Sequence, residues 1–302
     1  KEFCDNKSFG IASYLGRRIR HGTFEGTAST ELKALYTNEE YKHLFEDKEI
    51  VSWCYQNDPH GIVWAVRSDG VLLGLTYHKG HQVWGWHQHT TEGKFISVAC
   101  ITETDRDSVY ACVERNGKYL IERLSKRKDD EYDNFRYCDS YVTSSNDVEV
   151  KTVSGLSHLA GKEVVIIADG KVSRKTLSNG TLTLDRPAKN IVVGLPYVSD
   201  IETLDVETTN STGKNIQVPG VAVKFQNTVG GYFGQNFEEL LQGKWRRPSD
   251  NYEPINTYSE DFTINMASGW DDQGRVCIRQ DEPLPMHILA ITPRIIMGGS
   301  KS

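Results

Sequence analysis

The chain has 302 residues, a formal charge of −6 and a hydrophobic fraction of 38%, which suffices for one large or two to three modest domains. The ratio of charged to apolar residues excludes a disordered chain, and no apolar run approaches the ~20 residues that span a bilayer, so no membrane anchor is expected. Mild acidity argues against a general nucleic-acid-binding surface and leaves open an acidic tunnel through which DNA slides without sticking.

The opening KEFCDNKSFG lacks an apolar signal core and an initiator methionine, and so reads as the start of a piece cut from a longer protein. Six cysteines, at 4, 54, 100, 112, 138 and 277, are widely spaced. They read as reduced, buried thiols rather than disulfides.

Residues 1–45 are expected to form a polar N-terminal segment with short helices. Thr37 and Glu40 stand at capping-box spacing within STELKALYTNEEYKHLF. The basic cluster RRIRH at 17–21 reads as a solvated or partner-facing patch, with a phosphate-binding arm as the sharper alternative.

From Glu49 the pattern changes to period two, which signals strands. Strands are expected at 50–55, 62–67, 71–77 and 82–87, separated by the turns NDPHG, SDG and HKGH. A second set follows at 95–101, 108–114, 118–124 and 135–142. Val63-Trp64-Ala65 matches Val109-Tyr110-Ala111 at an offset of 46, and Gly70 matches Gly117 at an offset of 47. Repeats of ~40–50 residues are the sign of propeller blades, so residues 46–145 read as two propeller-like, four-stranded blades. Two blades cannot close a ring, so either further blades are expected upstream of Lys1 or this is a two-sheet stack.

Residues 146–197 carry short strands with tight turns at AGK, ADGK, SNG and RPAK, the pattern of a small β-barrel or sandwich. ADGK lacks the ligands that would continue a calcium loop. Residues 198–302 read as a C-terminal β-sandwich interrupted by a short helix over NFEELLQ. The expected fold class is thus mainly β, with propeller-like blades, then a small barrel, then a sandwich.

Little here points to catalysis. No nucleophile elbow, P-loop, dinucleotide fingerprint or H-E-x-x-H stands in the chain. Asp271/Asp272 and Asp281/Glu282 are sequence neighbours that a strand would point to opposite faces, so they read as turn acids rather than a glycosidase pair. The glycine-rich NTVGGYFGQN at 227–236 lacks the Lys-Ser/Thr that a phosphate loop needs. His87 and His89 form an H-x-H pair near His78 and His81, but zinc needs further ligands that no nearby Cys pair or acid supplies. They read as surface histidines around a tryptophan-rich sheet. No catalytic, cofactor-binding or metal-ligating residue and no cofactor is therefore assigned, and the chain is expected not to be an enzyme.

A resemblance spans about 43–300. The segment beginning KHLFEDKEIVSWCYQNDPHGIVWAVRSDGVLLGLTY is similar to one in tail proteins of tailed bacteriophages. It keeps His43-Leu44-Phe45, Ile50, Trp53, Gln56, Pro59, Val63-Trp64, Val66-Arg67, Asp69-Gly70, Leu72, Leu75-Thr76-Tyr77, Val83, Gly85-Trp86, His89-Thr90 and Gly93. GLSHLAGKEVVIIADG, VGLPYVSDIETL and GRVCIRQDEPLPMHILAI follow in the same order. The middle block resembles a β-domain named for ubiquitin-activating enzymes (FCCH-like), without implying that chemistry.

The resemblance implies a structural virion protein, a nozzle or tube subunit. Such a subunit forms a homo-oligomeric ring, commonly six-fold, below the portal and adaptor and beside tail fibre proteins. Genomic DNA passes through its lumen without sequence-specific binding. Assembly in the host cytoplasm and residence in the virion tail go with it. Residues 1–42 lie outside the resemblance. The alternative is a carbohydrate-binding or depolymerising propeller module in which Trp53, Trp64, Trp84 and Trp86 stack on sugars.

Overall fold

A computed structural model describes residues 2–4, 7–12, 18–25, 29–34, 42–45, 47–78, 83–125, 135–206, 214–243 and 257–300. The chain divides into two compact units, 1–129 and 130–302. Both are built of antiparallel sheets, and no helix among the described residues is long and apolar enough to cross a membrane.

The first unit opens with β1 (Glu2–Cys4), β2 (Lys7–Ala12), β3 (Arg18–Glu25) and β4 (Ser29–Ala34), a four-stranded meander in chain order. This corrects the helix expected over STELKA. STELKA has the composition of a helix, but six residues gain little from helix formation once nucleation is charged against them. β3 offers β4 a complete row of backbone partners instead, from Arg20 opposite Ala34 to Glu25 opposite Ser29. Arg18–His21 of the basic RRIRH cluster lie in β3. The Thr37/Glu40 capping box lies outside the described residues, and the only helical turn described in this stretch is α1 (Lys42–Phe45).

The second sheet holds β5 (Ile50–Gln56), β6 (Ile62–Arg67), β7 (Leu72–His78) and β8 (Val83–His89) in that order. The third holds β9 (Lys94–Thr102), β10 (Asp107–Arg115) and β11 (Lys118–Arg123), with β10 central. Its expected fourth strand over 135–142 is corrected. Residues 135–138 are not strand, and the chain enters a strand only at Asp139, which pairs within the second unit.

The second sheet is covered on both faces. Val63, Ala65, Leu73, Leu75 and Tyr77 pack with Leu44 and Phe45 on one side. Ile62, Trp64, Val66 and Leu72 pack on the other against Val98, Val109, Ala111 and Val113 of the third sheet. A strand buried on both faces needs a continuous apolar run, and β6 is one: IVWAV is buried throughout. The third sheet buries one face this way. Its other face leaves Ile101, Tyr119 and Ile121 between 53% and 73% exposed.

The second unit begins with β12 (Asp139–Ser154), β13 (Glu163–Ala168), β14 (Lys171–Thr176) and β15 (Thr181–Leu195). Their order is β12-β15-β13-β14. This is an open sheet, which corrects the expected barrel: closure would need β12 to pair with β14, and no such pairing occurs among the described residues. The long β15 lends its first half to β12 alone and its second half to both β12 and β13, and polar KVSRKT makes β14 a solvent-tolerant edge. β12 also runs across the boundary expected at 145/146. Leu156 and Leu159, from the GLSHLAG block, are fully buried against Val164, Ile166, Leu182 and Val193.

The remainder comprises β16 (Ser199–Glu202), β17 (Lys214–Phe225), β18 (Tyr232–Gly234), β19 (Leu241–Gln242), β20 (Asp261–Asn265), β21 (Cys277–Gln280) and β22 (Ile288–Ser300). They form a β16-β21-β18-β19 sheet and a β20-β17-β22 sheet. Both contribute to one core through Val218, Val221, Val223, Phe225, Phe233, Ile264 and Ile278. The helix expected over NFEELLQ is absent. The Asn236 carboxamide oxygen accepts the Glu238 and Glu239 N–H groups at 3.0 and 2.8 Å, a local turn that competes with helix formation.

Candidate functional site

The most elaborated place in the first unit is the seam between its second and third sheets. Cys54, Trp64, Gly74 and His87 lie directly opposite one another across β5 to β8, so their side chains share one face. Gly74 makes the row possible, because a Cβ there would overlap the His87 ring. His87 and His89 stand two apart on β8 and so point the same way. Their rings meet edge to face at 4.9 Å, and both lie near Trp64, at 5.5 and 5.4 Å.

His87 Nδ1 and His89 Nε2 are 2.7 Å apart. One ring must donate and the other accept, so the pair binds itself rather than presenting two open nitrogens to a shared ion. Among the described residues no group of three or more His, Cys, Asp or Glu could hold a metal. His78 sits at the exposed end of β7 opposite Val83, and His81 lies outside the described residues.

The tryptophans divide likewise. Trp64 is 3% exposed, and its indole N–H donates to the Gln56 side-chain oxygen at 3.1 Å. Trp53 and Trp86 pack against the opposite core. Trp86 meets Phe45 edge to face at 5.1 Å.

Polar groups complete the seam. Gln56 donates to the Asp107 carbonyl oxygen at 2.8 Å. The Asp107 carboxylate accepts the Asn57 and Asp58 N–H groups at 2.9 and 3.2 Å and the Thr102 hydroxyl at 2.7 Å. Burial alone would raise the pKa of Asp107, but the hydrogen bonds from Thr102, Asp58 and Asn57 hold it below the ordinary aspartate value. Ser52 accepts the Val98 N–H at 3.1 Å. Cys54 and Cys100 Sγ lie 2.7 Å apart.

Two arginines repeat one tie. Arg67 donates to the Leu44 carbonyl at 2.9 Å and grips Asp69 through two nitrogens. Arg115 donates to the Glu92 carbonyl at 2.6 Å and grips Glu122 through two nitrogens. Each reaches back 23 residues. In the sequence Arg67 figures only as part of the tail-protein pattern and Arg115 not at all, although an arginine shortly before each turn glycine, Gly70 and Gly117, was a visible signal.

The paired acids shape loops. Asp271 accepts the Gln273 and Gly274 N–H groups at 3.0 and 2.7 Å and bonds to the Gln235 side chain. The Asp281 carbonyl oxygen accepts from Arg174, and the Glu282 N–H donates to Gln280. The glycine-rich 227–236 stretch is filled rather than open: a Cβ on Gly231 would overlap Met286, and one on Gly234 would overlap the Glu239 carbonyl. ADGK closes the turn between β13 and β14, with Asp169 accepting the Lys189 and Asn190 N–H groups.

The Y4jQ family model matches residues 1–61, which takes in the whole arm that the tail-protein resemblance leaves out. The chain is 94% identical over 52 residues, 17% of its length, to the Detocs histidine-protein kinase DtcA of Vibrio alginolyticus. It spans 5% of that relative's length. This match corrects the expectation that the chain is not an enzyme, because the relative it matches is named as one. That name belongs to a much longer protein.

Proposed function

We propose that the chain belongs to a structural subunit of a bacteriophage tail, a nozzle or tube component. The subunit assembles as a closed homo-oligomeric ring below the portal and adaptor, next to tail fibre proteins. It is put together in the host cytoplasm, resides in the virion, and conducts genomic DNA without reading its sequence. The observation that carries this reading is the ordered set of sequence blocks from His43 to the C-terminal strand, most of which lies beyond the family-model match at 1–61.

The architecture supports it. The second and third antiparallel sheets stack face to face on one core, which suits propeller-like blades, and an arginine tie recurs in each repeat. The uncovered face of the third sheet suits a further sheet. The carbohydrate-binding alternative is disfavoured, because Trp64 is buried and Trp53 and Trp86 serve the core.

Native mass spectrometry of the full-length protein, alone and with a portal–adaptor complex, tests the reading. A closed oligomer, alone or on the adaptor, is expected. A monomer that ignores the adaptor and binds soluble glycans would overturn it.

A further inference from the structure

Cys54 and Cys100 occupy equivalent places in consecutive repeats, 46 residues apart like Val63 and Val109. One lies on β5, at the edge of the second sheet, and the other on β9, at the edge of the third. Their sulfurs are 2.7 Å apart, closer than two thiols rest in van der Waals contact and just outside a covalent S–S bond of about 2.05 Å. The backbone on either side is fixed. Two residues before each cysteine, the Ser52 hydroxyl accepts the Val98 N–H and donates to the Val98 carbonyl. Beyond them Gln56, Asn57 and Asp58 are bound to Asp107. The approach of the two thiols is therefore held by the seam.

We propose that Cys54 and Cys100 form a disulfide that staples the second sheet to the third when the protein meets a peroxide. Cys100 is partly exposed and Cys54 is 3% exposed, so Cys100 reacts first. Its thiolate attacks one peroxide oxygen, the O–O bond breaks, and a sulfenic acid and one water result. Cys54 then attacks that sulfur, the S–S bond forms, the S–O bond breaks, and a second water leaves. The two sulfurs together lose two electrons and the peroxide gains them.

The other thiols among the described side chains are poorly placed. Burial pushes Cys138 up to about 12 and Cys277 up to about 11, which starves both of thiolate. Cys112 faces Ser97 and Ile121 across its neighbouring strands. The staple revises the expectation of reduced thiols throughout, and it does not depend on the tail reading.

The test uses the reduced full chain, treated with hydrogen peroxide, denatured, alkylated with N-ethylmaleimide and weighed intact, then digested. Expected are two fewer alkylations than in the untreated chain and a cross-linked peptide joining Cys54 to Cys100. The link should be lost in Cys54→Ser and in Cys100→Ser and kept in Cys112→Ser. The oxidised wild type should melt roughly 5–10 °C higher than the reduced form, reversibly on reduction. Full alkylation after treatment, a cross-link between any other pair, or over-oxidation of Cys100 without a link would each overturn the proposal. The wild-type mass and peptide map decide it even where a serine variant fails to fold.

Discussion

Gly93 shows how little freedom single positions have at the seam. Its φ of +138° belongs to glycine, and a Cβ there would run into the Glu114 carbonyl oxygen. Gly93→Ala should therefore destabilise the first unit by about 2–4 kcal/mol, read from the urea midpoint of the chain. Asp107 gives a pH-dependent case. Its folded-state pKa is depressed, so its contribution is present above the ordinary aspartate range and is lost as pH falls through the folded value, below about pH 4. Asp107→Asn should cost about 1–2 kcal/mol at pH 7, and the gap between variant and wild type should narrow at pH 3. A gap that held constant with pH would assign the loss to shape rather than charge. Gly93 stands in the tail-protein pattern, but nothing local shows why it must be glycine, and the backbone partners of Asp107, Asn57 and Asp58, lie about 50 residues away.

Among elements, the strands of the second and third sheets were legible to within a residue or two, because alternation and turn residues are local signals. The failures share a cause. STELKA became a strand, NFEELLQ became a turn, and the fourth strand expected at 135–142 went to a different sheet, each because a tertiary partner or a side-chain-to-backbone bond outweighed a weak local preference. The H-x-H pair was legible as a sheet feature. Its self-contained hydrogen bond was not, since that depends on Gly74 leaving room across the strand.

The arginine ties are the elements' own fastening. Arg115 is 6% exposed, so Arg115→Met should cost about 2–4 kcal/mol by leaving the partly buried Glu122 carboxylate and the Glu92 carbonyl without it. Chemical denaturation of Arg115→Met, Arg67→Met and the double variant would show whether the two ties act independently. Near-additive losses are expected, because each arginine bonds within its own repeat.

For the whole molecule, the open face of the third sheet carries the assembly argument. Ile121 is 73% exposed and opposes Cys112 on β10. Ile121→Glu should leave the melting temperature of the isolated chain within a degree or two of wild type. If that face seats another sheet, the same change should abolish or weaken the oligomer in size-exclusion chromatography with light scattering. An unchanged oligomer would place the contact elsewhere.

That same face has a consequence for how the first unit opens. A sheet sandwiched between two neighbours releases its amides only when both let go, whereas a sheet covered on one side can peel from its free edge. β11 is that edge, with Tyr119 and Ile121 in solvent. In deuterium exchange its amides that bond to β10 should therefore be labelled well before those linking β6 and β7. The first unit would then behave less as one cooperative block than as a stack that frays from one end, and its protection pattern should run in a gradient along the chain.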